Sequence, residues 1–471
     1  MNILSVRGVV AAAAILLAGC KVGPNYKRPQ IPIPDQFRGA PASDESPVSL
    51  ADTKWQDLFP DPTLHQLVNS ALQHNFDLHI AAERIEEARA QLGVVRANQY
   101  PFLDVQSNLT ASRSSTIGAN TFVPANASLR ATYFGLGAAL SWEADIFGRL
   151  RRLTEAARAD FLASGENRRA VQVSLVSTVM NTWFQLLEQD SELDISRNTE
   201  TIAQNSLKLV QLRHERGAAS GLDVSQAEEL LYTAGARKAA AELAIAQTEN
   251  LLSLLQGSAP STQPRNKRLE EIPIPAEVPP GLPAALLERR PDIRLAEQNL
   301  VAANAQIGAA KALYYPQFSL TSFAGGQSRY LTEILTAPGR VYTAAPSALQ
   351  AIFHGGQIRN QVRFSEAQQR ELLVAYQKSI YTALREVADG LSAFDRLREE
   401  RLQQEHLVST LENRVRLSDL RYRGGLDSYL QVFDAQRNLF SGQLALAQLR
   451  LAERESVVEI YRSLGGGWST P

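Results

Sequence analysis

The chain of 471 residues has one cysteine, Cys20. A lone thiol supports neither an internal disulfide framework nor a thiolate metal cluster. Charge of one sign is also missing, with 48 basic against 49 acidic side chains. That balance, with no basic stripe, excludes an electrostatically driven nucleic-acid surface. Aromatic residues are 7% of the chain. Ala, Leu, Gln, Glu and Arg take their place, which suits long helices better than compact sheets. The histidines (His65, His74, His79, His214, His354, His406) show no metal-ligand spacing. No Gly-rich phosphate loop and no Gly-x-Ser-x-Gly elbow occurs. No enzyme, no metal and no cofactor beyond a covalent lipid is expected. Proline is absent between Pro124 and Pro260, and again between Pro346 and Pro471. Such runs favour long uninterrupted helix.

The start of the chain is a targeting segment. Arg7 precedes an apolar run, Val9–Leu17. That run is shorter than the roughly 20 residues of a spanning helix. It ends in Leu17-Ala18-Gly19-Cys20, which resembles a bacterial lipobox with Cys20 as the lipid attachment site. The alternative is an ordinary secretion signal with an incidental cysteine. Lys21 is not the acidic residue that resembles inner-membrane retention, so outer-membrane sorting is expected. Six prolines between Pro24 and Pro47 make an extended tether, either disordered or strapped onto the body.

A tandem repeat organises the remainder. Residues 75–105 align with 290–320, pairing Asp77 with Asp292, Ala88 with Ala303, Gly93 with Gly308, Tyr100 with Tyr315 and Pro101 with Pro316. Each half is a copy of one unit. The expected organisation is a signal peptide at 1–19, a lipid-anchored tether at 20–60 and repeat 1 at 61–257. A Pro-rich linker at 258–283, repeat 2 at 284–465 and a tail at 466–471 follow.

Each repeat reads helix, two strands, long helix, return helix. Asp61-Pro62 is a helix start, with Asp as N-cap and Pro at the first helical position. One helix is expected from there to about Gln99, and its counterpart from Pro283 to before Pro316. The period then changes to two. Leu103, Val105, Leu109 and Ala111 alternate with Asp104, Gln106, Asn108 and Thr110. On the second strand Phe134, Leu136, Ala138, Leu140 and Trp142 oppose a face of small residues. A third strand begins at Phe318. A weaker fourth, at 341–353, contains Pro346 and reads as an edge, bulge or strand end. Long helices of about 68 residues, near 149–216 and 356–423, span roughly 100 Å each at 1.5 Å per residue. In each copy two shorter helices stacked end to end match that length. Turns near 217–221 and 424–426 form hairpin tips.

Four amphipathic strands cannot close a barrel alone. Three chains supply twelve, an even number suited to an outer-membrane barrel. Tyr100, Trp142, Tyr314 and Tyr315 fall at strand ends, where membrane-interface aromatics belong. The alternative is a soluble β-layer packed on helices.

Further residues carry a family resemblance. They include Pro24-Asn25-Tyr26-Lys27-Arg28-Pro29, Trp55 with Phe59-Pro60-Asp61-Pro62, Leu140–Arg149, Arg421-Tyr422-Arg423-Gly424-Gly425-Leu426-Asp427, Asp434-Ala435-Gln436-Arg437 and Leu464–Trp468. From lipobox to C terminus the chain resembles an outer membrane factor of the TolC family, in its OprM/NodT-like lipoprotein branch. The resemblance implies a mainly α fold with a small β part. Tandem-duplicated helical hairpins form a trimeric α-barrel continued by a twelve-stranded membrane β-barrel. It implies a homotrimeric exit duct for drugs or other small toxic molecules, in outer-membrane lipid and extending into the periplasm. Its partners are a periplasmic adaptor protein and an inner-membrane pump. Alternatives are a duct for type I protein secretion, a periplasmic adaptor lipoprotein and a lipid-anchored periplasmic enzyme. His354-Gly355-Gly356-Gln357 and Gln350-Ala351 depart from the family pattern and put the end of the fourth strand in question.

The candidate working residues lie at the tips. Leu430, Asp434 and Arg437 share one helix face by spacing. The family motif carries gate residues at those positions. Arg421 and Arg423 are candidates to pair with acids of a neighbouring helix and hold the gate closed. The alternative is a solvated face with a local Asp434–Arg437 pair. Gly217, Ala218, Ser220, Gly221, Gly424, Gly425 and Leu426 form a candidate adaptor-docking tip, because small residues permit close approach. Simple turn chemistry explains them equally well.

Overall fold

The computed structural model describes residues 21–39, 49–113, 130–275 and 277–466. Cys20 lies outside them. The first copy contains α1 (Pro62–His74), α2 (Phe76–Ala97), β1 (Phe102–Arg113), β2 (Arg130–Ala144), α3 (Arg149–Glu215) and α4 (Gly221–Leu255). The second contains α5 (Pro291–Ala312), β3 (Gln317–Ser328), β4 (Arg340–Leu349), α6 (Gln357–Arg423) and α7 (Tyr429–Ser463). Single helical turns at Trp55–Leu58 and Leu286–Arg289 precede the first helices of the two copies.

Two of the expected helices are broken. The helix read from Asp61 to Gln99 ends at His74 and restarts at Phe76, because Asn75 is extended, at φ −63° and ψ 130°. Its side chain serves both sides of the joint. Oδ1 accepts from the Leu78 amide at 3.1 Å, and Nδ2 donates to the Leu255 carbonyl at 3.0 Å. In the second copy Arg290, the repeat partner of Asn75, is also extended, at φ −80° and ψ 118°. There the cause is local: Arg290 precedes Pro291, and a residue before proline is driven out of the helical region.

The chain forms two compact units. Unit 2 comprises the described residues of Gln30–Arg84, Ser164–Leu295 and Tyr376–Pro471. Its interior is set by the helical stripes of α3 and α6. Val176, Met180, Trp183, Phe184 and Leu187 are buried, as are Tyr376, Ile380, Val387, Leu391 and Phe394. Burial of each such side chain contributes about 1.5–3 kcal/mol. Asp61 is fully buried and has two tasks: it accepts from the Thr63 amide at 3.0 Å as N-cap of α1, and from Trp183 Nε1 at 2.9 Å.

Unit 1 comprises the described residues of 21–29, Ile85–Ala163 and Ala296–Ala375. It holds one antiparallel sheet in the order β1-β2-β3-β4, with β1 and β4 as open edges. Within one chain β4 is an edge strand, one of the positions that Pro346 allows. It ends at Leu349, short of the expected 353. The Gln350 side chain turns instead to the Tyr314 carbonyl at 3.0 Å.

Residues 21–29 of the N-terminal segment form a strap on unit 1, one of the two options the sequence left open. Lys21 pairs with Glu155 at 3.0 Å. Arg152, only 1% exposed, donates to the carbonyls of Val22 and Gly23, each at 3.1 Å. Tyr26 and Arg28 converge on Glu297, at 3.1 Å and 2.6 Å. The strap passes so close to Gly308 that a Cβ built at Gly23 would lie 2.4 Å from the Gly308 Cα.

Candidate functional site

Register turns four strands into one two-faced surface. Leu103 lies opposite Leu140, Val105 opposite Ala138 and Leu109 opposite Phe134. Leu140 lies opposite Ser322, Trp142 opposite Leu320 and Ala144 opposite Phe318. Leu320 lies opposite Pro346 and Ala324 opposite Tyr342. Partners across a ladder share a face. One face of the whole sheet is therefore apolar, apart from Ser107, Ser322 and a few end residues. The other carries Asp104, Gln106, Asn108, Thr110, Glu143, Ser319, Thr321, Gln327 and Thr343, with Gly135, Gly137, Ala139 and Gly325 along its centre and Phe102, Tyr133, Phe323, Val341 and Leu349 as its large side chains. Leu103, Val105 and Leu109 are 71%, 81% and 63% exposed, and Tyr342 is 88% exposed. Water does not favour such a face, and among the described residues no other layer of unit 1 covers these side chains.

The four aromatics read as membrane markers lie beside the strand ends. Trp142 Nε1 donates to the Gln99 carbonyl at 3.1 Å. Tyr315 stacks on Phe147 at 4.7 Å between ring centres. Tyr100 and Tyr314 are about half exposed.

The candidate gate and tip residues lie in unit 2. The two hairpin turns are built alike. Gly217 and Gly425 are left-handed, at φ 71° and 75°. The next amide bonds back five residues in each: Ala218 to the Arg213 carbonyl at 2.7 Å and Leu426 to the Arg421 carbonyl at 2.9 Å. Glycine is required there because a Cβ disfavours left-handed backbone. Ser220 then caps α4 through a reciprocal capping box with Asp223. This correspondence matches Leu222 with Leu430, and both are exposed.

Beneath the turns is a shared core of Ala203, Val210, Ala227, Leu230, Tyr422, Tyr429, Val432 and Phe433. Tyr422 meets Tyr429 edge-on at 5.4 Å, and the Arg213 guanidinium lies 4.4 Å from the centre of the Tyr422 ring. Arg213 also donates to the Tyr422 carbonyl at 3.2 Å, joining the two hairpins. Burial pushes the Tyr429 phenol up to about 12, so it stays neutral.

Ion pairs clothe this core. Asp434 accepts from Arg437 at 3.1 Å on its own helix and from Arg414 of α6 at 2.5 Å. Asn438 adds a third donor at 3.2 Å. Leu430 is nearly half exposed and precedes Asp434 by one turn. Arg421 grips Asp427 across the turn at 2.6 and 3.1 Å, and the hydrogen bonds from Arg421 hold that carboxyl below its usual range. Arg423 pairs with Asp419 of its own helix at 2.8 Å. Among the described residues, then, only Arg414 reaches Asp434 from a neighbouring helix, a residue outside the motif that marks the gate. Gly217, Gly221 and Gly425 have open space where a side chain would project.

Among the described residues no helix is long and apolar enough to cross a membrane. A family model described as outer membrane efflux protein matches residues 67–258 and 282–466. The solvent efflux pump outer membrane protein SrpC of Pseudomonas putida is 38% identical over 462 residues, 97% of each chain. The probable outer membrane lipoprotein SilC of Salmonella typhimurium is 33% identical over 456 residues, 96% of this chain and 97% of that one. The open state of the MtrE outer membrane channel of Neisseria gonorrhoeae aligns with a TM-score of 0.83 at 28% identity. That alignment covers 95% of this chain and 99% of that one.

Proposed function

The chain belongs to the outer membrane efflux protein family, and from that premise we propose that three copies form a closable exit duct for small toxic molecules. It has the mainly helical, four-stranded fold of outer-membrane channels and acts in the outer membrane as the exit component of an efflux system. The observation that carries the trimer is the sheet, with one apolar face and two open edges. In lipid every strand edge must be paired, since each unsatisfied backbone group costs several kcal/mol. Pairing β4 of one copy with β1 of the next closes twelve strands about a threefold axis. The apolar face then meets lipid and the polar, small-residue face lines the passage. Cys20 carries the lipid, and Tyr100, Trp142, Tyr314 and Tyr315 sit at the membrane interface.

Closure resides at Leu430, Asp434 and Arg437, with Arg421 and Arg423 bracing the turn. Three copies of an apolar side chain one turn from a carboxylate make a constriction that is both narrow and charged. The turns at Gly217, Ala218, Ser220 and Gly221 and at Gly424, Gly425 and Leu426 receive a periplasmic adaptor, which links the duct to an inner-membrane pump. The cargo is small and apolar or amphipathic, in line with the solvent pump named for the Pseudomonas putida relative. Deletion followed by a screen with solvents, dyes and antibiotics tests this. The expected result is a several-fold drop in the tolerated dose, restored by the intact gene. Unchanged tolerance with loss of a secreted polypeptide would contradict it and favour protein secretion.

A further inference from the structure

A cavity of about 420 Å³ in unit 2 is lined by four arginines, Arg398, Arg401, Arg450 and Arg454. Three carboxylates, Glu270, Glu405 and Glu453, also line it. Two of those are already engaged. Arg401 takes Glu453 at 2.6 Å and Glu405 at 2.9 Å, and Arg450 reaches Glu405 at 3.5 Å.

Arg454 is different. It is 4% exposed and stands in the C-terminal third of α7. Its hydrogen bonds run to carbonyl oxygens, Arg450 at 2.9 Å and Ile272 at 2.8 Å. Its Nε has no partner among the described residues. Burial pulls this guanidinium down to about 10; Arg450 and Arg401 add to the effect, and the opposing carboxylates of Glu453 and Glu270 do not offset it. A buried cation beside two others is costly unless an anion answers it. The cavity lies within the size range of small-ligand sites, and guanidinium forks match the geometry of carboxylate and phosphate oxygens.

We propose that this cavity binds a small oxyanion, a carboxylate or phosphate, held by Arg450 with Arg398 and by the field of the buried Arg454. The inference is independent of what the duct carries. The test is calorimetric titration of the full-length protein in detergent with inorganic phosphate and, separately, with succinate, at constant ionic strength. Saturable binding of at least one anion is expected, weakened about tenfold, or 1.4 kcal/mol, in Arg450→Gln. Arg454→Lys should weaken it similarly, while the exposed Arg385→Gln should leave it unchanged. Binding of phosphate alone assigns a phosphoryl ligand, of succinate alone a carboxylate, and of both a general oxyanion site. If Arg454→Lys does not fold, Arg450→Gln and Arg398→Gln decide. No isotherm with either anion overturns the proposal, including the case in which a carboxylate of a second copy fills the cavity. So does an isotherm that Arg450→Gln and Arg398→Gln leave unmoved.

Discussion

Asp434 is held by Arg437 from its own helix and by Arg414 from the helix across the hairpin. Each pair is partly exposed and worth about 0–1 kcal/mol by itself. Together they fix where the carboxylate points. Glu188 presents the opposite case, a carboxylate that its surroundings resist ionising. It is 6% exposed, and burial raises it to about 7, helped by Glu192 and Glu455 and opposed by Arg237. Arg237 is itself bound to Glu192. A folded-state value above the ordinary 4.5 means that the folded chain holds the proton more tightly between those two values. Glu188 therefore costs stability as pH rises from 4.5 to about 7, and the cost is complete above that window. Glu188→Gln is expected to raise stability at pH 8 by on the order of 2 kcal/mol, with a small effect at pH 4. Thermal unfolding of both proteins across that range checks it, and a parallel pair of curves would refute the assignment.

At the level of elements, much was legible. The proline-free runs announced the long helices, the glycine breaks at Gly217 and Gly424-Gly425 placed their C-terminal ends to within a residue or two, and period-two alternation located β1, β2 and the start of β3. What escaped was set by distant partners. Asn75 breaks its helix by bonding the Leu255 carbonyl, a contact no local pattern announces. Arg290 breaks the equivalent helix, and there the signal was present in Pro291 but outweighed by the helical pattern around it. β4 stops early because Gln350 finds the Tyr314 carbonyl. Arg414 was invisible because hairpin register, rather than motif spacing, brings it to Asp434. Gly93 and Gly308 are repeat partners with different surroundings: the strap fills the space at Gly308, while nothing lies near Gly93. The faces of β1 make a test. Val105→Lys puts a charge on the apolar face and is expected to cost about 2–4 kcal/mol in a bilayer. Gln106→Lys, on the opposite face, should cost less than about 1 kcal/mol. Urea unfolding from lipid vesicles separates the two, and equal costs would mean that the apolar face does not meet lipid.

For the whole molecule, the proposed duct makes one requirement, a threefold assembly, of both the sheet's open edges and the tip residues Leu430 and Asp434. A single chain leaves β1 and β4 unpaired and presents one Leu430 and one Asp434 to solvent. In the proposed trimer the edges pair and those side chains come around an axis. The outer-membrane assignment rests on the family match, whereas closure rests on the tip geometry. Conductance of the purified protein in planar bilayers addresses both together. The account predicts discrete, heat-sensitive channels that are mostly closed for the wild type. Asp434→Ala and Arg414→Ala should raise the closed-state conductance several-fold. Channels whose closed-state conductance is the same in the wild type and both variants would contradict the gate, and absence of channels from correctly folded protein would contradict the duct.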